Sequence, residues 1–355
     1  MMSENKPIRV GLIGYGFAGK TFHAPLIAAV PDLALTAVSS SRPEAVLADF
    51  PAIRVFSTPE ELAMSDEIDL VVIASPNDSH APLARLALKA GKAVVVDKPF
   101  TLTLADARDL LALAKAEDRL LSVFHNRRYD TDFRGVKGAI DSGAIGRVVH
   151  FETHFDRFRP VVRDRWRERA VPGGGLWFDL GPHLVDQTLQ ILGLPQTVTA
   201  TIATQRFGGQ TTDYAHVILD YGTTKAVLHG AMLVAGGVNR FTVHGEKGSL
   251  IKRHLDPQEA QLLSGMRPGL PGFGQDDDPV VFFDGEGERN LPSPAGDQSD
   301  YYRDIARALR GEGRNPVTPL QALAVMAVLE AAEISAAEGR SVTLPLTEEE
   351  KSAWA

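Results

Sequence analysis

The sequence predicts an α/β chain of two parts. An N-terminal, doubly wound parallel sheet is followed by an α/β domain with an open, mainly antiparallel sheet. Three observations predict it. The first third alternates continuous apolar runs with helical periods, the pattern of strands covered by helices on both faces. The remainder carries longer runs, several with polar and apolar residues alternating at period two, as in TVTATIAT at 197–204. The chain has 355 residues, more than one core usually serves. The boundary is expected near 124–126, giving a doubly wound domain at 1–125 and an open-sheet α/β domain at 126–355.

In the first part IRVGLIGYG reads as a strand entering a glycine turn, KTFHAPLIAAV as a helix and LALTAVSS as a strand. PEELAMS is a short helix, IDLVVIAS a strand and SHAPLARLALKAG a helix closed by glycine. KAVVVDKP, TLADARDLLALAKAED and LLSVFHN complete the alternation as strand, helix and strand. In the second part GRVVHFETHF, QTVTATIATQRF, DYAHVILDYG, KAVLHGAMLV and RFTVHGEKGSLIK read as strands. LVDQTLQIL, SDYYRDIARAL and LQALAVMAVLEAAEISAAEG read as helices. Residues 256–297, rich in Gly, Pro and Asp, read as long loops.

Composition excludes several classes. The net charge of −8 argues against a nucleic-acid or membrane-surface partner, which needs a basic patch. With no cysteine, disulfides, thiolate nucleophiles and Cys-ligated metals are ruled out. The start shows no apolar signal region, and no run reads as the roughly 20 apolar residues of a membrane span. A cytoplasmic location is the expectation. Histidines 150, 154, 216, 229 and 244 fall at scattered strand positions without ligand spacing, so no metal is expected. They read as solvated sheet residues, except that His154 could face a substrate.

The first strand ends in GYGFAG, placing Gly14, Gly16 and Gly19 in G-x-G-x-x-G spacing. The first permits a tight turn, the second lets a pyrophosphate approach the backbone, and the third lets helix and strand pack closely. The pyrophosphate would sit at the positive end of the following helix. The alternative is a turn with packing duties only. An NAD site places an acid at the end of the second strand to accept the ribose 2′-hydroxyl. This chain has Ser39, Ser40, Ser41 and Arg42 there. Hydroxyls and a guanidinium suit a 2′-phosphate, so NADP(H) is expected over NAD(H), unless SSSR is only a polar turn.

Ligands of doubly wound sheets bind beyond the carboxyl ends of the strands. The fourth strand ends in Ser75-Pro76-Asn77 with His80 after it, the fifth in Asp97-Lys98-Pro99, and the sixth leads into Asn126 and Arg127. The expected cofactor contacts are Gly14, Gly16, Phe17, Gly19, Ser39, Ser41, Arg42, Ser75, Pro76, Asn77, His80, Asp97, Lys98 and Asn126. Lys98 should lie by the nicotinamide, where desolvation and neighbouring cations would fit it for proton transfer. A strand-capping lysine paired to Asp97 is the competing reading. In PGGGLWFDLGPHLVDQTL, Asp179 and His183 are four apart, on one face if the helix has begun. A carboxylate, an imidazole and a lysine are what polyol oxidation needs. Singly, Asp179 reads equally as a helix cap and His183 as a buried histidine.

Together, GYGFAG, SPNDSH, AGKAVVVDKPF and GGGLWFDLGPH resemble the Gfo/Idh/MocA family of NAD(P)-dependent oxidoreductases, over nearly the whole chain. The resemblance implies a Rossmann domain, an open-sheet α/β domain, and a homodimer or homotetramer formed through that sheet. It also implies Lys98, Asp179 and His183 as catalytic residues. The family's usual Glu-Lys-Pro is here Asp97-Lys98-Pro99, a shorter side chain of the same charge. LSVFHNRRYDTDF and HFDRFRPVVRDRWRE resemble the branch containing NADP-dependent scyllo-inositol 2-dehydrogenase. That implies a cyclic polyol or sugar substrate. Arg127, just after a strand end, is the favoured substrate contact, with His154, Arg165 and Trp166 as further candidates. The arginines from 157 to 169 read equally as a basic segment paired with acids across a subunit interface. A glycosidase with retained NAD, or a nucleotide- or sugar-sensing regulator, are the alternative functions.

Overall fold

The computed structural model describes residues 6–354. Its chain divides into two compact units: Met1–Tyr129 with Pro257–Gly274 and Asp297–Leu323, and Asp130–Asp256 with Gln275–Gly296 and Ala324–Ala355. The first crossing therefore falls four residues beyond the expected 125. Two later segments also group with the first unit.

The first unit holds six parallel strands, β1 (Ile8–Ile13), β2 (Leu33–Ser39), β3 (Arg54–Phe56), β4 (Leu70–Ile73), β5 (Ala93–Val96) and β6 (Leu121–Val123). Their order is β3-β2-β1-β4-β5-β6, the doubly wound arrangement with its crevice at the β1/β4 switch point. Strands β4 and β5 are buried at every residue, as expected of strands covered on both faces. The helix after the glycine turn contains a π turn at Gly19–His23 and continues as Ala24–Ala28. The wider turn comes just before Pro25, which has no N–H to give to an ordinary helical bond.

The second returning segment is held by aromatic packing. Helix Ser299–Arg310 buries Tyr301, Tyr302 and Ile305. Tyr301 donates to Ser122 Oγ at 2.8 Å, and Tyr302 Oη lies 2.6 Å from His23 Nδ1. Both rings pack on Phe124 at the end of β6.

The second unit is a nine-stranded sheet. Its strands are β7 (Val148–His154), β8 (Thr197–Ala203), β9 (Tyr214–Asp220), β10 (Lys225–Ala231), β11 (Phe241–Gly245), β12 (Gly248–Lys252), β13 (Val280–Phe283), β14 (Glu288–Leu291) and β15 (Val342–Thr343). The order is β14-β13-β12-β11-β7-β10-β9-β8-β15. Every pair is antiparallel except β7 with β10. Burial alternates along β9, so one face is packed and the other open. The packed face carries helix Leu176–Leu192, which Arg240 ties to the sheet by reaching both Thr153 and Gln187.

The stretch expected to be long loops instead contains helix Gln258–Leu263 and strands β13 and β14. VVFF in β13 is a short apolar strand hidden among turn residues. Among the described residues one helix, Pro319–Glu338, has the length and apolar composition of a membrane span, contrary to the sequence expectation. Its window is 61% buried inside the fold, the position of a core helix.

Candidate active site

In the first unit, Gly14 adopts φ +96°, a conformation that favours glycine. A Cβ there would lie 2.6 Å from the Ala74 carbonyl oxygen, and one at Gly19 would lie 2.0 Å from that of Gly14. A Cβ at Gly16 would meet nothing within 4 Å. Two glycines are thus demanded by the protein itself, while the middle one borders open space of the kind a pyrophosphate fills. Phe17 is exposed beside this turn and packs edge-on against Phe22.

Strand β2 delivers Ser39, which is buried, then Ser40, Ser41 and an exposed Arg42. No acid stands there. The Arg42 backbone N–H donates to Ser40 Oγ at 3.0 Å, and its guanidinium reaches the Tyr15 carbonyl at 3.3 Å. The 2′-phosphate candidates therefore lie beside the glycine turn.

At the end of β4, Ser75 Oγ meets Ser79 Oγ at 2.5 Å, Pro76 is exposed and Asn77 buried. His80, expected as a cofactor contact, is fully enclosed. Its Nδ1 lies 2.8 Å from the Pro99 carbonyl and its Nε2 3.1 Å from that of Ser75. It joins the tips of β4 and β5 and acts through them. Burial pulls its pKa below the ordinary value, outweighing Asp97 and the facing carbonyls.

The Lys98–Pro99 peptide is cis, a point the sequence left open. Asp97 Oδ1 accepts from the Lys98 backbone N–H at 2.8 Å, and Oδ2 lies 3.6 Å from His23 Nε2. Burial alone would raise the Asp97 carboxyl, but His23, then Lys98 and His80, hold it down at about 2. The lysine stem thus follows a carboxylate that stays charged across neutral pH. Asn126 is buried and donates to Gln298 at 3.0 Å. Arg127, expected to bind substrate, is 7% exposed and pairs with Glu259 at 2.8 Å. Its charge is met within the fold, by a residue 132 positions away.

In the second unit, helix Leu176–Leu192 begins before the FDLGPH stretch, so Asp179 and His183 lie one turn apart on it. The glycines before it have a steric reason. Gly175 has φ +92°, and a Cβ there would sit 2.5 Å from Thr212 Oγ1. Arg167 lies 3.4 Å from Asp179 Oδ1. A narrow crevice is lined by Arg165, Arg167, Glu168, Asp179 and Arg206. His183 is 7% exposed and lies against Phe155.

Arg165 bonds Glu168, which also holds the buried Arg206, itself paired with Asp213. Trp166 is half-buried under the Arg167 guanidinium at 4.6 Å. Within this unit, arginines 165, 167 and 169 all have acidic partners of their own chain. His154 is a correction. Thr153 and Phe155 turn to the packed face, as their contacts with Arg240 and His183 show. By strand alternation His154 faces the opposite side, away from Asp179 and His183.

Two family models match in sequence order. The NAD-binding Rossmann domain of the oxidoreductase family GFO_IDH_MocA covers residues 8–125, and its C-terminal alpha/beta domain covers 137–344. The chain belongs to the Gfo/Idh/MocA oxidoreductase family. Among family members, oxidoreductase YdgJ of Escherichia coli, whose activity is uncharacterised, is 52% identical over 93% of this chain and 96% of its own. The NADP(+)-dependent scyllo-inositol 2-dehydrogenase IolW of Bacillus subtilis is 36% identical over 95% of this chain and 96% of its own. A crystal structure from Klebsiella pneumoniae superposes with a TM-score of 0.93 at 55% identity, covering 99% of this chain and 98% of that one. The Gfo/Idh/MocA assignment makes the first unit an NAD(P)-binding Rossmann domain and the chain an oxidoreductase.

Proposed function

We propose that the protein is an NADP(H)-dependent dehydrogenase or reductase of a cyclic polyol or sugar, with scyllo-inositol and its 2-keto form as the leading pair. The observation that carries the cofactor choice is the end of β2. Three serines and an arginine stand where an acid would repel a 2′-phosphate, and the arginine is anchored at the glycine turn. Similarity to the Bacillus subtilis enzyme supports the substrate class.

The glycine-turn amides would hold the pyrophosphate, and Ser39, Ser41 and Arg42 the 2′-phosphate. When bound, NADP⁺ supplies the hydride acceptor. The chain's own residues manage the proton and the orientation. Lys98 and His183 take the proton leaving the hydroxyl or stabilise the alkoxide, and Asp179 holds a neighbouring hydroxyl. His80 and Asp97 keep the lysine strand end in place. We further propose a cytoplasmic homodimer or homotetramer formed through the open face of the nine-stranded sheet. The test is steady-state turnover of NADP⁺ with a panel of inositols and aldoses. Reduction with an inositol is expected; no reduced cofactor with any of them overturns the reading.

A further inference from the structure

The open face of the nine-stranded sheet gathers histidines that are far apart in sequence. His154 on β7 and His229 on β10 are direct partners across the parallel pair, and His216 on β9 is the antiparallel partner of His229. Asp156, just past the end of β7, completes the group. His154 Nδ1 lies 2.9 Å from Asp156 Oδ2, and His229 Nε2 lies 3.5 Å from Asp156 Oδ1. One ligand atom from each of the three residues falls within 4.8 Å of the others. A tetrahedral ion with bonds of about 2.0–2.2 Å separates its ligand atoms by roughly 3.3–3.6 Å, so only small side-chain shifts are needed.

A second observation points the same way. The Asp156 side chain is 3% exposed, yet its Oδ1 accepts no hydrogen bond. A buried carboxylate oxygen without a donor is costly, and a cation between it and the two imidazoles removes that cost. The outer contacts also fit. His154 Nε2 is anchored by Glu152 Oε1 at 2.8 Å, and His229 Nδ1 lies 3.3 Å from His216 Nδ1. Metal-binding histidines are oriented in this way through their second nitrogen.

We propose that His154, Asp156 and His229 form a binding site for a divalent transition-metal ion such as zinc, on the sheet face opposite Asp179 and His183. Two imidazoles and one carboxylate are the ligand types such ions prefer, and the remaining position falls to water. The ion would tie β7 to β10 and stabilise the sheet.

The experiment is titration of the chelator-treated full chain with Co²⁺, read by visible absorption, followed by Zn²⁺ displacement. A four-coordinate nitrogen/oxygen cobalt spectrum saturating at one ion per chain is expected. Asp156→Asn and His229→Gln should each weaken binding at least tenfold, while His244→Gln, on the same sheet, should not. Zinc should raise the Tm of the wild type and of His244→Gln only. Absence of saturable binding to the wild type overturns the proposal without reference to any variant. Equal binding by all variants overturns it as well.

Discussion

Arg42 donates from its guanidinium to the main-chain carbonyl of Tyr15 at 3.3 Å, so the end of the second strand is tied to the glycine turn of the first. If this arginine meets a 2′-phosphate, Arg42→Ala should weaken NADPH binding by about 10-fold or more, the worth of a charge-assisted contact. NADH binding should hardly change. Fluorescence titration of both nucleotides on both proteins checks this.

The three turn glycines should separate by mechanism. Gly19→Ala forces a Cβ to 2.0 Å from the Gly14 carbonyl, which should cost about 2 kcal/mol or more of stability. Gly16→Ala has nothing to clash with inside the chain. It should fold with a wild-type unfolding midpoint and lose nucleotide affinity. Urea unfolding paired with nucleotide titration distinguishes the two.

Asp179 and His183 share a helix of the second unit, whereas the glycine turn belongs to the first. Asp179→Asn and His183→Ala should therefore lower kcat by about 100-fold or more and leave the Kd for NADPH unchanged. Parallel loss of nucleotide binding would count against their proposed role with substrate.

Asp97 should make the fold acid-sensitive. Its carboxyl is held at about 2, below the ordinary 3.8. A lowered carboxylate pKa contributes stability above the unfolded value and loses it as pH falls through the folded one. The contribution, about 2 kcal/mol by linkage, is present at neutral pH and disappears between about pH 4 and pH 2. Asp97→Asn should be less stable at pH 7 and show a flatter decline across that window, measured by denaturant unfolding at each pH.

Features written locally were legible in the sequence. The glycine spacing, the acid-free end of β2, the DKP strand end and the i, i+4 pair of Asp179 and His183 each need only a few consecutive residues. Features created by long-range register were not. Arg127 is satisfied by Glu259, 132 residues away. His154 and His229 meet only because β7 pairs with β10 in parallel, and no spacing along the chain announces it. His154 also had a readable parity, since Phe151, Thr153 and Phe155 are the buried set and even positions must face the other way. The segments 257–274 and 297–323 looked like parts of the second domain because they follow it. The packing of Tyr301 and Tyr302 on Phe124 holds the second of them in the first unit, and the Arg127–Glu259 pair with the Gln258 bond to the Tyr129 carbonyl holds the first, contacts that sequence order does not reveal.

The most direct test of the central claim follows the hydride itself. The wild-type protein is given 2-keto-inositol and NADPH carrying deuterium at the transferable position of the nicotinamide, and the product is analysed by mass spectrometry. One deuterium on the newly formed carbinol carbon is expected for each NADP⁺ released. Product without deuterium, or turnover with no net change in the nucleotide, would contradict an NADP-dependent dehydrogenase.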